Sequence, residues 1–400
     1  MRTALTAVVI IPTYNEVENI AKTIDSVFKN TLDSQDKLLV LVVDDTSPDG
    51  TAEVVQKLAT KNKQIHLLSN QQKSGLGKAY LKGMKYAFTT LKADVVFEFD
   101  ADGSHDATKI PVFIEQIRQG NDMVLGSRYR KGGSIPANWG AHRKFLSLFG
   151  NLFISVVLTH FAIRDWTTGF RAITKKVYES VAPEMKGHRF SGYTFQIGFL
   201  HKAVRKQFRI AEVPFHFVDR THGHSKLGME YIKNTLLYIL KVRYQEISQL
   251  RAFKFAVVGF IGFGVNTVGL LFVFGRMQVL GDAALWLRQY IPFEFINIAF
   301  MANLLAAECA IISNFIWNNV YTFQERRMTN PLQILYKFPQ FNISSFGTVL
   351  IASFIVGVGT SLTGITTLSK FFWLIIATAV GMVINYIVYS TIIWRKKPSK

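Results

Sequence analysis

The chain has 400 residues, a formal charge of +19 at pH 7 and a sequence pI near 9.8. No zinc-ligand spacing or other nucleic-acid signature accompanies that charge, so attraction to an anionic lipid surface and to phosphorylated substrates is the simpler account. Cys309 is the single cysteine, which excludes a disulfide framework within one chain and leaves the redox compartment open.

Hydropathy divides the chain near residue 250, with a mixed, charged half followed by four long apolar segments. In the first half, Thr6 to Ile11 is a β-branched apolar run that predicts a strand. It is too short for a signal peptide and runs into Pro12, so this half is expected to stay in the cytoplasm. PTYNEVENI then opens a helical pattern through Ile20, Ile24 and Val27. Leu38 to Val43 is a second strand, ending at Asp44 and Asp45, and SPDGT starts a helix at about Asp49. Ile65 to Ser69 is a third strand. The helix from about Gly75 to Thr89 opens with Gly75, Gly77 and Lys78, which resemble a phosphate loop only superficially and suit a structural or a binding role equally.

The fourth strand, Asp94 to Phe99, runs into VFEFDADGSHD, where a buried apolar run stops at Asp100 and Asp102. Two carboxylates one residue apart at a strand end supply hard oxygen ligands with which a divalent metal could bridge to a diphosphate. Polar residues of an ordinary turn are the bland alternative. A helix from about Thr108 and a strand at Met123 to Gly126 follow. Strands alternating with helices imply a parallel sheet whose ligand lies at the carboxyl ends of the strands. Pro12, Tyr14 and Glu16, then Asp44 and Asp45, then Asp100 and Asp102 follow three such ends and are expected to converge. The missing Gly-x-Gly-x-x-Gly and Gly-x-x-x-x-Gly-Lys-Ser/Thr patterns argue against dinucleotide redox and P-loop chemistry.

Asn138 to Ile163 would count as a span by hydropathy, since Phe145 to Ile163 has no charged residue. Crossing there would put Asp165 and Arg171 on the far side from Asp100, so a core or interfacial helix interrupted at Gly150 and Asn151 is expected instead. Arg143 and Ser147, four apart, share its face. Arg220 and Lys226 flank a His-Gly-His turn, and such basic groups are ordinarily solvated faces or ion pairs. His105, His142, His188, His201, His222 and His224 form no zinc spacing. Gly228 to Leu250 shows a moment that fits a helix lying on a membrane or packed on the domain.

The four apolar segments are Phe253 to Gly275, Phe295 to Trp317, Phe341 to Leu362 and Phe371 to Trp394, each near the roughly 20 residues a span needs. Lys241, Arg243, Arg251 and Lys254 precede the first, Arg326, Arg327 and Lys337 separate the second from the third, and Arg395, Lys396, Lys397 and Lys400 follow the last. The other two connections are nearly balanced or hold only Lys370, so the positive-inside rule puts the N-terminal half and the tail in the cytoplasm. Inside the segments Asn266, Glu308 and Asn314 are costly unless paired; interhelical hydrogen bonding is expected for the asparagines, and Glu308 stays open.

IIPTYNE, VVDDTSPDGT, GLGKAYLKGMKYA, DADGSH, GSRY, DWTTGFR, YTFQI, EVPFHFVDR and HSKLG, in this order from about Thr6 to Gly228, resemble the polyprenol-phosphate (dolichol-phosphate) mannose synthases of glycosyltransferase family 2. FKFAVVGFIGFGVN and SNFIWNNVYTF resemble the GtrA-like four-helix membrane family. The resemblance implies an α/β GT-A catalytic domain, Rossmann-like with a mostly parallel sheet, over residues 1–227. An amphipathic interfacial region at 228–252 and an all-α four-helix transmembrane domain with a basic tail at 253–400 complete the expectation.

It implies a dolichyl-phosphate β-D-mannosyltransferase that takes GDP-mannose and a polyprenyl (dolichyl) monophosphate at the cytoplasmic face of the bilayer, inverts the anomeric carbon and uses Mg²⁺ or Mn²⁺. Donor residues would be Pro12, Tyr14, Glu16, Asp44, Asp100, Asp102, Arg220 and Lys226, with Asp100, Asp102 and Ser104 at the metal. Arg128, Arg143, Ser147, Arg220 and Lys226 would hold phosphates beside the catalytic Asp102, with Asp165 in a structural or orienting role. Gly103 departs from the larger apolar residue many members carry there. A UDP-hexose transferase and a translocation partner without catalysis are the alternatives.

Overall fold

A computed structural model describes residues 4–29, 35–185, 193–219, 229–273, 277–290, 298–364 and 366–395. It divides into two compact units, Met1–Arg243 and Tyr244–Lys400.

The first unit is a seven-stranded sheet with helices on both faces. Its elements run β1 (Thr6–Thr13), α1 (Ile20–Phe28), β2 (Lys37–Asp44), α2 (Thr51–Lys61), β3 (Ile65–Ser69), α3 (Leu76–Thr89), β4 (Val95–Glu98), α4 (Ile110–Arg118) and β5 (Met123–Ser127). Then come α5 (Ala141–Leu158), β6 (Arg171–Thr174), α6 (Lys175–Val181), α7 (Tyr193–Arg205), β7 (Ile210–Pro214) and α8 (Met229–Gln249), whose residues after Arg243 count with the second unit. Strand order is β3-β2-β1-β4-β6-β5-β7. All pairings are parallel except those of β6, which runs antiparallel to both neighbours.

The strands read as continuous apolar runs because both faces are covered. Along β1, Val8 and Ile10 enter one core with Tyr80, Met84, Trp166 and Phe195, while Ala7, Val9 and Ile11 enter the other with Ile24, Phe97 and Phe113. Short β6 and β7 complete the sheet outside the regular alternation; β6 has only four residues and begins at a charged one.

α5 runs unbroken through Gly150 and Asn151, against the expected interruption. Asn151 stays in register because its side chain donates to the Ser147 carbonyl at 2.8 Å and accepts from the Trp166 N–H at 2.7 Å. One face of α5 buries Ile154 and Leu158, and the other exposes Phe145, Leu148, Phe149, Leu152 and Val156.

The second unit contains α9 (Arg251–Val268), α10 (Gln278–Arg288), α11 (Ile298–Trp317), α12 (Pro331–Thr363) and α13 (Thr367–Val388). Helix α9 packs on α11 and α12 on α13. Glycines permit close approach: a Cβ on Gly262 would collide with the Asn314 side chain, and one on Gly359 with the Trp373 ring. Three helices, Arg251–Phe272, Pro331–Thr363 and Thr367–Ile393, are long and apolar enough to cross a membrane. The expected segment Phe295 to Trp317 begins outside the described residues and is not among those three, so four crossings are not shown.

The intramembrane polar residues differ from expectation. Of Asn266, Glu308 and Asn314, Glu308 pairs across helices, accepting from the Asn342 amide at 2.9 and 3.1 Å. Asn266 and Asn314 instead keep buried side-chain oxygens without a hydrogen-bond partner among the described residues. The packing of α9 on α11 sets the Asn314 amide against the Gly262 backbone, which brings no side-chain donor to it.

Candidate active site

Because β1, β2, β4, β5 and β7 all point one way, the residues after them collect on one edge. Thr13, Asp44, Asp100, Arg128 and the segment to Asp219 emerge there, and antiparallel β6 brings the chain before it, Asp165 to Gly169, to the same edge.

The loops after β1 and β2 are stapled together. The backbone N–H groups of Asn15, Glu16 and Val17 donate to Ser47 Oγ, Thr51 Oγ1 and Asp49 Oδ2 at 3.0, 3.0 and 3.1 Å. Asn15 and Thr46 both take φ of 61°, unusual for residues with a Cβ and most costly for β-branched Thr46, about 1–3 kcal/mol. Glu16 accepts from Asn19 Nδ2 at 2.9 Å, and Lys73 Nζ sits 3.6 Å from the centre of the Tyr14 ring. Pro12 is half-buried in β1.

Asp44 is buried; its carboxylate accepts from Thr13 Oγ1 at 2.9 Å, Ser47 Oγ at 2.6 Å and Ser47 N–H at 2.9 Å. Asp45 takes the N–H groups of Ser74 and Gly75 at 3.0 and 2.9 Å, along with Ser74 Oγ and the Asn70 amide. Burial alone would raise its pKa, but these hydrogen bonds outweigh it and the net shift is down. Gly75 at the start of α3 is therefore held by a carboxylate of the protein.

Asp100 and Asp102 sit on a rigid mount. Thr23 Oγ1 of α1 donates to the Ala101 carbonyl at 2.7 Å, and Tyr80 of α3 donates to Asp100 Oδ1 at 3.2 Å. Burial first, then the Asp100 charge, pushes the Tyr80 phenol well above its ordinary pKa, which keeps it a donor. The Asp100 N–H donates to His105 Nδ1 at 3.0 Å, so Nε2 carries the proton, 3.6 Å from Asp100 Oδ2. Stacked on Phe170 at 5.1 Å, His105 is buried and its pKa lowered mainly for that reason. Gly169 leaves room here, since a Cβ would stand 3.3 Å from Asp100 Oδ2.

Asp102 is half-exposed and accepts the Ser104 N–H at 3.1 Å, while Gly103 closes the turn at φ 77°. Ser104 is buried. No group of three or more His, Cys, Asp or Glu that could hold a metal occurs among the described residues. Two adjacent carboxylates still fit a hard cation that takes its remaining oxygens from a diphosphate and water.

Beneath them Glu98 is fully buried, 3.8 Å from the equally buried Arg171. Burial raises its pKa to about 7, with Arg171 opposing and Asp100 adding to the rise. Arg171 donates to the carbonyls of Thr168, Gln196 and Trp166 at 2.9, 2.7 and 3.2 Å, tying the chain before β6 to α7.

The basic side follows. Asp165, 0% exposed, takes Arg128 N–H, Nε and Nη2 at 3.0, 2.8 and 2.7 Å, and Arg128 also reaches Thr167 at 2.7 Å. Arg143 stacks 3.9 Å over the Trp139 ring and donates to Asp219 at 3.2 and 3.3 Å. Ser147 shares a 2.5 Å hydrogen bond with Tyr129. Arg220 and Lys226 lie outside the described residues. Sequence reasoning does not find His105, Tyr80, Gly169, Trp139 and Asp219 as supports of this edge. For His105 the available signal is adjacency to the acidic pair, outweighed by the usual reading of a lone histidine.

Residues 8–181 match Glycosyl transferase family 2, and residues 254–394 match the GtrA/DPMS transmembrane domain. A dolichol-phosphate mannosyltransferase of Pyrococcus furiosus is 34% identical over 331 residues, 82% of this chain and 84% of that protein. An undecaprenyl-phosphate mannosyltransferase of Micrococcus luteus is 36% identical over 55% of this chain and 86% of its own. A polyprenol monophosphomannose synthase of Mycolicibacterium smegmatis is 34% identical over 58% and 84%. Among solved structures, glucosyl-3-phosphoglycerate synthase of Mycobacterium tuberculosis with Mn²⁺ and UDP-glucose aligns at 19% identity and a TM-score of 0.43, covering 60% of this chain and 79% of that one.

Proposed function

Because the chain belongs to the dolichol-phosphate mannosyltransferase family of family 2 glycosyltransferases, we propose that it moves mannose from GDP-mannose to a polyprenyl monophosphate at the cytoplasmic membrane face, with inversion and with a divalent metal. The observation that carries this reading is the single sheet edge on which the acidic pair and the arginine after β5 meet.

Asp100 and Asp102 would hold Mg²⁺ or Mn²⁺, with Ser104 in the same loop, and the metal would neutralise charge on the departing diphosphate. Tyr80 and His105 keep Asp100 aimed. Pro12, Tyr14, Glu16 and Asp44 would frame the nucleotide; Asp44 does so as the clasp joining the loops after β1 and β2, since its carboxylate already takes three hydrogen bonds. Arg143 and Ser147, on a helix with an exposed apolar face, would receive the acceptor phosphate with Arg220 and Lys226. Arg128 would act from beneath, its charge matched by Asp165.

A phosphate monoester has a second pKa of about 6, so the acceptor is largely dianionic near pH 7 and attacks without a base. Asp165 supports this, for it is buried and committed to Arg128. The test supplies the purified chain with a polyprenyl phosphate and radiolabelled GDP-mannose, UDP-glucose or GDP-glucose, with Mg²⁺, Mn²⁺ or EDTA. Labelled lipid from GDP-mannose that EDTA abolishes is expected. Label only from a UDP-sugar would overturn the donor, and no label from any donor would favour a translocation partner.

A further inference from the structure

In the second unit α11 and α12 pack together through Phe315 and Phe341. Beside that contact lies a cavity of about 570 Å³, walled by Ile312, Phe315, Ile316 and Val320 on one side and by Ile334 and Phe338 of α12 on the other. A second hollow of about 470 Å³ shares Phe338 with it and lies along α12 at Pro339, Asn342, Ile343 and Phe346. The walls of the first cavity are apolar, but its rim is not: Asn319, Arg327 and Thr329 close the end.

The cations around this rim divide sharply. Arg326 donates to the carbonyls of Ser390 and Trp394 at 3.1 and 2.9 Å, Lys337 to that of Ile392 at 3.0 Å, and Arg251 pairs with Glu325. Lys254 sits 5.2 Å from the centre of the Tyr321 ring. The Asn319 side chain is likewise committed, to both backbone groups of Met328 and to the Trp394 indole. Arg327 is exposed, borders the cavity, and has no hydrogen-bond or ion-pair partner among the described residues.

We propose that this groove is a binding site for one anionic phospholipid of the bilayer, its phosphate held by Arg327 and Thr329 and an acyl chain lying along Ile312, Ile316, Val320 and Phe338. A guanidinium matches phosphate oxygens two at a time, and the Thr329 hydroxyl supplies a further donor. The tail fills the cavity between the end of α11 and α12, adding van der Waals contact along its walls. A phospholipid is favoured over free phosphate because the walls beyond the rim, Ile312, Phe315, Ile316, Val320, Ile334 and Phe338, are apolar.

The test is native mass spectrometry of the full-length chain in detergent, titrated with phosphatidylglycerol or phosphatidylcholine of equal chain length. Preferential retention of phosphatidylglycerol is expected, weakened roughly tenfold by Arg327→Gln, as for loss of one charge-assisted contact, and largely kept by Arg327→Lys. Arg395→Gln, which removes an exposed cation outside the groove, should change nothing, and Ile316→Trp should weaken both lipids. Transferase activity of Arg327→Gln serves as the folding control. Equal retention of the two lipids, or an unchanged Arg327→Gln, overturns the proposal. Displacement by millimolar inorganic phosphate, or by polyprenyl monophosphate at lower concentration than phosphatidylglycerol, overturns the choice of ligand.

Discussion

Asp165 is a carboxylate whose partner limits what it can do. A base must face the proton it takes, but Asp165 is buried with both oxygens on Arg128. Asp165→Asn should therefore lower stability by about 3 kcal/mol, the usual cost of breaking a buried pair, and reduce turnover only in step with the folded fraction. Loss of all turnover in a variant that unfolds at the wild-type temperature and still binds both substrates would sink the base-free mechanism. Asp102 is the opposite case, half-exposed and held in its turn by a backbone N–H. Asp102→Ala should leave the melting temperature within a degree or two and eliminate label transfer; near-wild-type activity would remove the metal role.

Asp45 lends itself to a pH test. Its folded pKa lies below the ordinary carboxylate value, so its stabilisation is present above about pH 4 and is lost as pH falls through the folded value. Thermal unfolding of Asp45→Asn and wild type should differ at pH 7, and the gap should narrow as the pH falls below the ordinary carboxylate value of about 4. A gap of constant size would show that the carboxylate charge contributes nothing there.

At the scale of elements, the regular βα alternation was legible because the strands are short apolar runs and the helices between them carry a 3.6-residue stripe, as Ile20, Ile24 and Val27 do in α1. β6 and β7 were not, since each carries a charged residue, Arg171 and Glu212, and lies outside the regular alternation, with its pairing decided by distant strands. Hydropathy lends α5 the profile of a span, and the structure puts its apolar residues to two different uses. Ile154 and Leu158 pack into the core; Phe145, Leu148, Phe149 and Leu152 stay exposed. If that face meets the bilayer beside the acceptor, the double variant Phe145→Ser and Phe149→Ser should raise the apparent KM for a long polyprenyl phosphate roughly tenfold or more. The KM for the sugar nucleotide should not move. Equal effects on both substrates would point to a folding defect instead.

For the molecule as a whole, charge and hydropathy divide the chain where its two compact units meet in sequence, near residues 243–250. Parity ties the number of crossings to the placement of the two ends. Four put the N-terminal half and the tail on the same side, as the basic residues flanking the segments predict, and three put them on opposite sides. With single cysteines introduced at Lys57 and at Lys397 in a Cys309→Ala background, an impermeant maleimide applied to sealed cells should therefore label neither position. Labelling of one site but not the other would leave an odd number of crossings.

From its sequence alone this protein could be read as a membrane-attached α/β protein with acidic strand ends, because apolar periodicity, strand-terminal carboxylates and the charge of connecting segments are local properties; transferase activity followed from the resemblance of its motifs to a known family. Which polar groups pair with each other was settled only in three dimensions. Asp165 meets Arg128 across 37 residues, Arg143 meets Asp219 across 76, and Glu308 meets Asn342 across 34. A charge's partner is set by which strand ends and helix faces the fold brings together, and no window of sequence contains that distance.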